Sequence, residues 1–187
     1  MNIQPGVRGA ALALASALGF ALATSALAPV RSNASDFHPY RSETGRFSVD
    51  FPGGSPIVRE LTGSKFLMTD NDVNYAVITE GVEFSVEIHD IPRFAELVLT
   101  DHYILEESVS GKLEDIGARE VDASEASLQG ESAREVVFEA PDRAFTGKLL
   151  LVLAQRRLYL VTVLHPPTLD LQDASARFFG SFSFWPE

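Results

Sequence analysis

The chain has 187 residues, 45% hydrophobic and 22% charged, and no cysteine, which excludes disulfides, thiolate metal sites, cysteine nucleophiles and a lipid-modified cysteine. Its 15 Lys and Arg stand against 26 Asp and Glu, a net charge of −11 at pH 7. Such a field repels nucleic acid and anionic lipid headgroups, because both are bound by basic clusters that displace counterions; the adjacent pair Arg156-Arg157 is too small for that work.

Residues 1–28 divide as a secretory signal does. Arg8 and the N-terminus supply positive charge, Ala10 to Ala23 form an apolar run, and small residues cluster from Ala21 to Ala28. Cleavage is open between bonds after Ala23, Ala26, Ala28 or Ala34, since Pro29 obstructs the site that Ala26-Leu27-Ala28 would otherwise provide. Gly9 to Ala28 also has about the twenty residues that span a bilayer. Its alanines, with Ser16, Gly19, Thr24 and Ser25, give an uncleaved anchor little drive into lipid, and a buried helix is the remaining alternative. No stable membrane span is expected once the signal is removed.

Residues 29–42 are polar, aperiodic and carry two prolines, which reads as a tether before one domain over residues 43–187. A chain of that size buries enough surface to fold without staples. In Gly45-Arg46-Phe47-Ser48-Val49-Asp50-Phe51, Phe47, Val49 and Phe51 alternate with polar residues, as in a strand with one face on a core. Pro52-Gly53-Gly54-Ser55-Pro56 supplies the turn that stops it. Strands are predicted over Lys65–Thr69, Asn74–Thr79 and Glu83–His89, with a hairpin turn at Asp70-Asn71-Asp72.

From Arg93 to Lys112 the period changes. Phe94, Leu97, Val98, Ile104, Leu105 and Val109 fall at helical offsets, which predicts one helix that Gly111 ends. Ala118 to Gln129 is polar and suits an edge strand. Ala133–Ala140, Phe145–Ala154 and Arg157–His165 are increasingly apolar and suit central strands, the last two joined by a tight hairpin at Gln155-Arg156-Arg157. Pro166-Pro167 ends this run. Thr168 is the expected N-cap of a final helix whose apolar face is Leu171, Ala174, Phe178 and Phe179, and Phe182, Phe184 and Trp185 pin the tail. Strands, helix, strands, helix with short connections predict an α+β fold: a mostly antiparallel sheet with a central and a C-terminal helix packed on it.

The segment Gly45 to Gly53 (GRFSVDFPG), the central helix, the late apolar strand pair and the closing Phe178-Phe179-Gly180-Ser181-Phe182 together resemble small exported bacterial proteins of the PsbP-like fold. That fold is named for an extrinsic subunit of the photosynthetic oxygen-evolving complex. The resemblance spans about residues 43 to 185. It implies an α/β sandwich and a role in binding or assembling other proteins, and it brings no catalytic residues with it.

Each chemical motif has a plainer competitor. Asp70-x-Asp72-x-Asn74 copies the first ligand positions of a calcium loop, but Tyr75 stands where glycine belongs and Gly81 where glutamate belongs. His89-Asp90 and Asp101-His102 are the best histidine-carboxylate neighbours, though no two histidines among His38, His89, His102 and His165 lie close in sequence. Asp70, Asp72, Asn74, His89 and His102 are therefore the weak candidates for a divalent cation. Gly53-Gly54-Ser55-Pro56 lacks the following helix of a nucleophile elbow. Glu106-Glu107 and Glu114-Asp115 are sequence neighbours that diverge rather than flank a cleft. Tyr75, Tyr103 and Tyr159 are core residues or the lining of an apolar pocket. The reading that follows is a non-enzymatic, cofactor-free exported module that binds another envelope protein. A binder of a small apolar ligand or divalent cation is the alternative, and a hydrolase without a visible motif is third.

Overall fold

A computed structural model describes residues 37–61 and 72–185, apart from the side chains of Phe94, Glu96 and Leu97. The signal at 1–28 and its cleavage bonds, the first part of the tether, the strand expected over Lys65–Thr69 and the turn residues Asp70 and Asn71 lie outside the described residues.

In chain order the strands are β1 (Phe37–Ser42), β2 (Phe47–Pro52), β3 (Ile57–Leu61), β4 (Asp72–Thr79) and β5 (Val82–Asp90). Helices α1 (Arg93–Val98) and α2 (Asp101–Ile116) follow, then β6 (Arg119–Leu128), β7 (Glu131–Ala140), β8 (Phe145–Ala154) and β9 (Arg157–His165). Helix α3 (Gln172–Ser181) and the short β10 (Ser183–Phe184) close the chain. Among the described residues, β3-β4-β5-β9-β8-β7-β6 form a seven-stranded sheet and β1-β2-β10 a three-stranded one, and every pairing is antiparallel. The expected α+β class, a mostly antiparallel sheet with a central and a C-terminal helical segment packed on it, is present.

Alternation assigns the two faces of the large sheet. On β5, Phe84, Val86 and Ile88 point toward the small sheet, as do Tyr159, Val161 and Val163 of β9. There they meet Phe47, Val49 and Phe51 of β2 and Phe178 of α3. The rings interlock edge to face: Phe47 on Tyr75 at 5.0 Å, Phe84 on Phe178 at 5.3 Å. Each such buried ring contributes about 1.5–3 kcal/mol. Leu158 and Leu160 of β9 and Leu149 and Leu151 of β8 point the other way, against Ile104, Leu105, Val109 and Leu113 of α2. The sheet is thus central and covered on both faces, which explains the nearly continuous apolar runs of β8 and β9.

Five sequence expectations are corrected. The tether ends early: Phe37–Ser42 is β1, held by its pairing with β2 and by burial of Phe37 and Ser42. The helix predicted from Arg93 to Lys112 is two helices, because Leu99 and Thr100 turn extended and the Thr100 hydroxyl accepts from the Tyr103 amide at 3.3 Å, capping a new start. Helix α2 then passes through Gly111, since buried Leu113 prolongs its apolar face, and ends at Gly117 in the left-handed region (φ 64°). Next, α3 starts after Leu171 rather than at Thr168; the Asp170 carboxylate accepts from the Gln172 amide at 3.2 Å.

Asp72 belongs to β4 rather than to a turn. The β4–β5 turn is Glu80-Gly81, both at positive φ. No helix among the described residues is long and apolar enough to cross a membrane.

Candidate functional site

The helix-side face of the large sheet changes character between β9 and β4. Where β8 and β9 present leucines, β5 presents Ser85, Glu87 and His89, all buried. The register sets Asn74 opposite Glu87. One step further along, Asp72 reaches His89: the ring Nδ1 lies 2.9 Å from Asp72 Oδ2, a charge contact rather than an aligned hydrogen bond. On the other side of the ring, Nε2 is 3.8 Å from Glu87 Oε2. Lys112 comes down from α2 and its ammonium donates to Glu87 Oε1, which also accepts from Asn74 Nδ2 at 3.3 Å.

Two carboxylates, one imidazole and one ammonium are therefore packed together with little access to water. Burial alone would raise the Glu87 carboxyl, but the contact with His89 and the Lys112 charge outweigh it and bring it down to about 2. Burial alone would lower the His89 ring; the contacts with Glu87 and Asp72 outweigh it and raise the ring above its ordinary value.

Of the residues proposed for a cation, Asp72, Asn74 and His89 come together and Asp70 lies outside the described residues. Their arrangement differs from a metal centre. The carboxylates sit at opposite nitrogens of the ring, so the donors do not converge on one point, and the Lys112 ammonium holds the place beside Glu87 that a cation would take. No group of His, Cys, Asp and Glu that could hold a metal occurs among the described residues. His102 lies apart, exposed on α2 and 3.8 Å from both Glu106 and Glu125.

The other sequence candidates are dispersed. His38 is exposed on β1, and His165 Nδ1 lies 2.9 Å from the Pro166 carbonyl. Glu106, Glu107, Glu114 and Asp115 are exposed along α2, with Glu106 paired to Arg134 at 3.2 Å. Ser55 follows Gly53 and Gly54, both at positive φ, in the turn between β2 and β3. Tyr75 and Tyr159 are core rings, the Tyr159 hydroxyl donating to the Gly45 carbonyl at 3.1 Å, while Tyr103 is half exposed on α2.

Glu87 and Lys112 were not singled out from sequence. The signal was there: Glu87 is two residues before His89 on an alternating strand, and Lys112 is three after Val109 and seven after Leu105, at the border of the α2 apolar face.

The surface carries one further feature. On β3 and β4, Ile57 and Ile78 stand 60% and 65% exposed on the same face, on either side of Ala76. Glu83 lies directly across from Ile78 and Glu80 stands at the adjoining turn. The outer edge of β3 is unpaired among the described residues.

No family model matches this sequence, and no curated protein matches it. The solution structure of cyanobacterial PsbP (CyanoP) from Synechocystis sp. PCC 6803 superposes with a TM-score of 0.56 at 13% identity, covering 93% of this chain and 99% of that one. A Pseudomonas aeruginosa protein of unknown function, PA94, gives a TM-score of 0.40 at 11% identity over 75% of this chain and 89% of that one. At such identity the first likeness establishes the fold alone: the α+β sandwich is PsbP-like.

Proposed function

We propose that this chain is an exported, non-enzymatic module that docks an extended basic segment of another envelope protein along β3. The observation that carries this reading is the exposed pair Ile57 and Ile78 beside a strand edge that is unpaired among the described residues. Strand edges expose a row of backbone donors and acceptors, and proteins ordinarily blunt them with charge or cover. Beside the charged Arg59 and Glu60 of β3, this edge offers two large aliphatic side chains, Ile57 on β3 and Ile78 on β4, rimmed by Glu80 and Glu83. A partner strand would take its main-chain bonds from β3 and place an apolar residue against Ile57 and Ile78, the mode of β-strand addition. The net charge of −11 favours a Lys- or Arg-bearing segment and speeds its encounter. Residues 1–28 supply the address: a positively charged start, an apolar run and small residues.

The test is affinity capture of the tagged protein from cells, with Ile78→Asp and Ile57→Asp run beside the wild type. Both positions are exposed, so folding stability should change by about 0.5 kcal/mol or less. The reading expects one basic envelope protein in the wild-type capture, reduced about tenfold or more in each variant and weakened by raising salt. Equal recovery of that protein by wild type and variants would contradict docking at β3.

A further inference from the structure

We infer that the Asp72–His89–Glu87–Lys112 cluster is a pH-sensitive clamp: with His89 protonated it holds β4, and through β4 the edge strand β3, to the body of the large sheet, and on loss of that proton it loosens this edge. The inference assigns a regulation to the docking edge and rests on that reading only for its consequence, not for its mechanism.

The geometry comes first. Strand β3 is joined to the sheet through β4, with Leu61 opposite Asp72 and Arg59 opposite Asn74. Both β4 residues that face the cluster are thus on the rungs that carry β3. Strand β4 is joined in turn to β5, where their side-chain partners are His89 and Glu87. Lys112 ties the same point to α2, which packs mainly over β7 and β8. The side chains therefore connect the sheet's outer strands to the helix that covers its centre.

The charges decide the sign. Asp72 faces the ring from β4, Glu87 from its own strand, and Lys112 reaches Glu87 from α2; on β9 the residue opposite His89 is the apolar Leu158. Asp90, next on the strand, is engaged by Arg157 at 3.0 Å instead. With the ring protonated, its positive charge stands between the Asp72 and Glu87 carboxylates. Loss of that proton takes the positive charge from between the two carboxylates, and both buried contacts weaken. The ring's raised pKa means its contribution is complete below the ordinary imidazole value of about 6.5 and is lost as pH rises through the folded value. Glu87 acts at the opposite end: its contribution is complete above the ordinary carboxyl value of 4.5 and is lost as pH falls toward about 2. The edge is held most firmly in the mildly acidic window between them.

The test uses the whole mature protein, following the His89 ring by NMR from about pH 5 to about pH 9, with amide hydrogen exchange read on the same samples. The ring should titrate as one group above the ordinary imidazole value. Across that titration, protection of the β3 and β4 amides should fall about tenfold relative to β7 and β8, after correction for intrinsic exchange. His89→Gln should flatten this dependence, and Asp72→Asn should lower the pH at which the ring titrates. A ring that titrates at or below the ordinary value, or β3–β4 protection that stays constant while the ring titrates, would overturn the clamp; both readouts come from the wild type alone, so they hold even where a variant does not fold. Loss of the docking reading through the Ile78→Asp capture would leave this result standing, which keeps the two separable.

Discussion

At the scale of the residue, two close approaches at one glycine set how tightly neighbouring strands of the large sheet sit. At Gly147 on β8, a Cβ would come within 2.3 Å of the Val163 carbonyl oxygen and 2.7 Å of the Phe138 ring. The absence of a side chain is what lets β8 and β9 hydrogen-bond while Phe138 fills the space above. Gly147→Ala must push backbone rather than the end of a flexible side chain. It should destabilise by about 3 kcal/mol, the upper range for overpacking, and urea unfolding would measure it as a lower midpoint at unchanged slope. A change below about 0.5 kcal/mol would show that the strands have room to part. The buried charge cluster is the other residue-scale feature. Sequence singled out Asp72 and Asn74 from a calcium-loop spacing and His89 from its neighbour Asp90, two separate signals. The residues meet because the β4–β5 register aligns two polar pairs on one face, and pairing register between strands is not written in the spacing of residues along either one.

At the scale of the element, legibility follows burial. Phe145–Ala154 and Arg157–His165 were read with the bounds the structure gives, because a strand covered on both faces is apolar throughout and its hairpin residues interrupt it sharply. Strand β3 was missed: its residues are exposed or half-buried, so no alternation marks it. Strand β1 was missed because a six-residue segment with a central proline carries no pattern of its own and owes its shape to β2. The break between α1 and α2 was missed for a local reason. Apolar residues continue at helical offsets across Leu99, and the competing signal is the Thr100 cap. That cap yields a prediction: Thr100→Ala should cost about 1 kcal/mol through loss of the hydroxyl that accepts from Tyr103, lowering the melting temperature by about 2–4 °C. Thr100→Ser, which keeps the acceptor, should restore most of it. Equal melting of all three proteins would mean that tertiary packing alone sets the start of α2.

At the scale of the whole molecule, a central antiparallel sheet lies between a small sheet with α3 on one side and α1 and α2 on the other. The order of elements and the two aromatic motifs were enough to anticipate a mostly antiparallel sheet with a central and a C-terminal helix packed on it, but not the second, small sheet; both motifs sit in the core between the sheets, Phe47, Val49 and Phe51 from the first and Phe178 and Phe182 from the second. The proposed docking edge was less legible, because an edge is a property of how strands assemble, and Ile57 and Ile78 are unremarkable in the sequence until pairing brings them to one face. The central claim is that this edge receives a partner. Photo-crosslinking in intact cells tests it most directly, with the reactive residue placed in turn at positions 57 and 78 on the edge and at positions 103 and 121, which are exposed on α2 and β6. The account predicts an adduct with one and the same basic envelope protein from positions 57 and 78 and none from 103 or 121; adducts from 103 or 121 with that protein, and none from the edge, would contradict it.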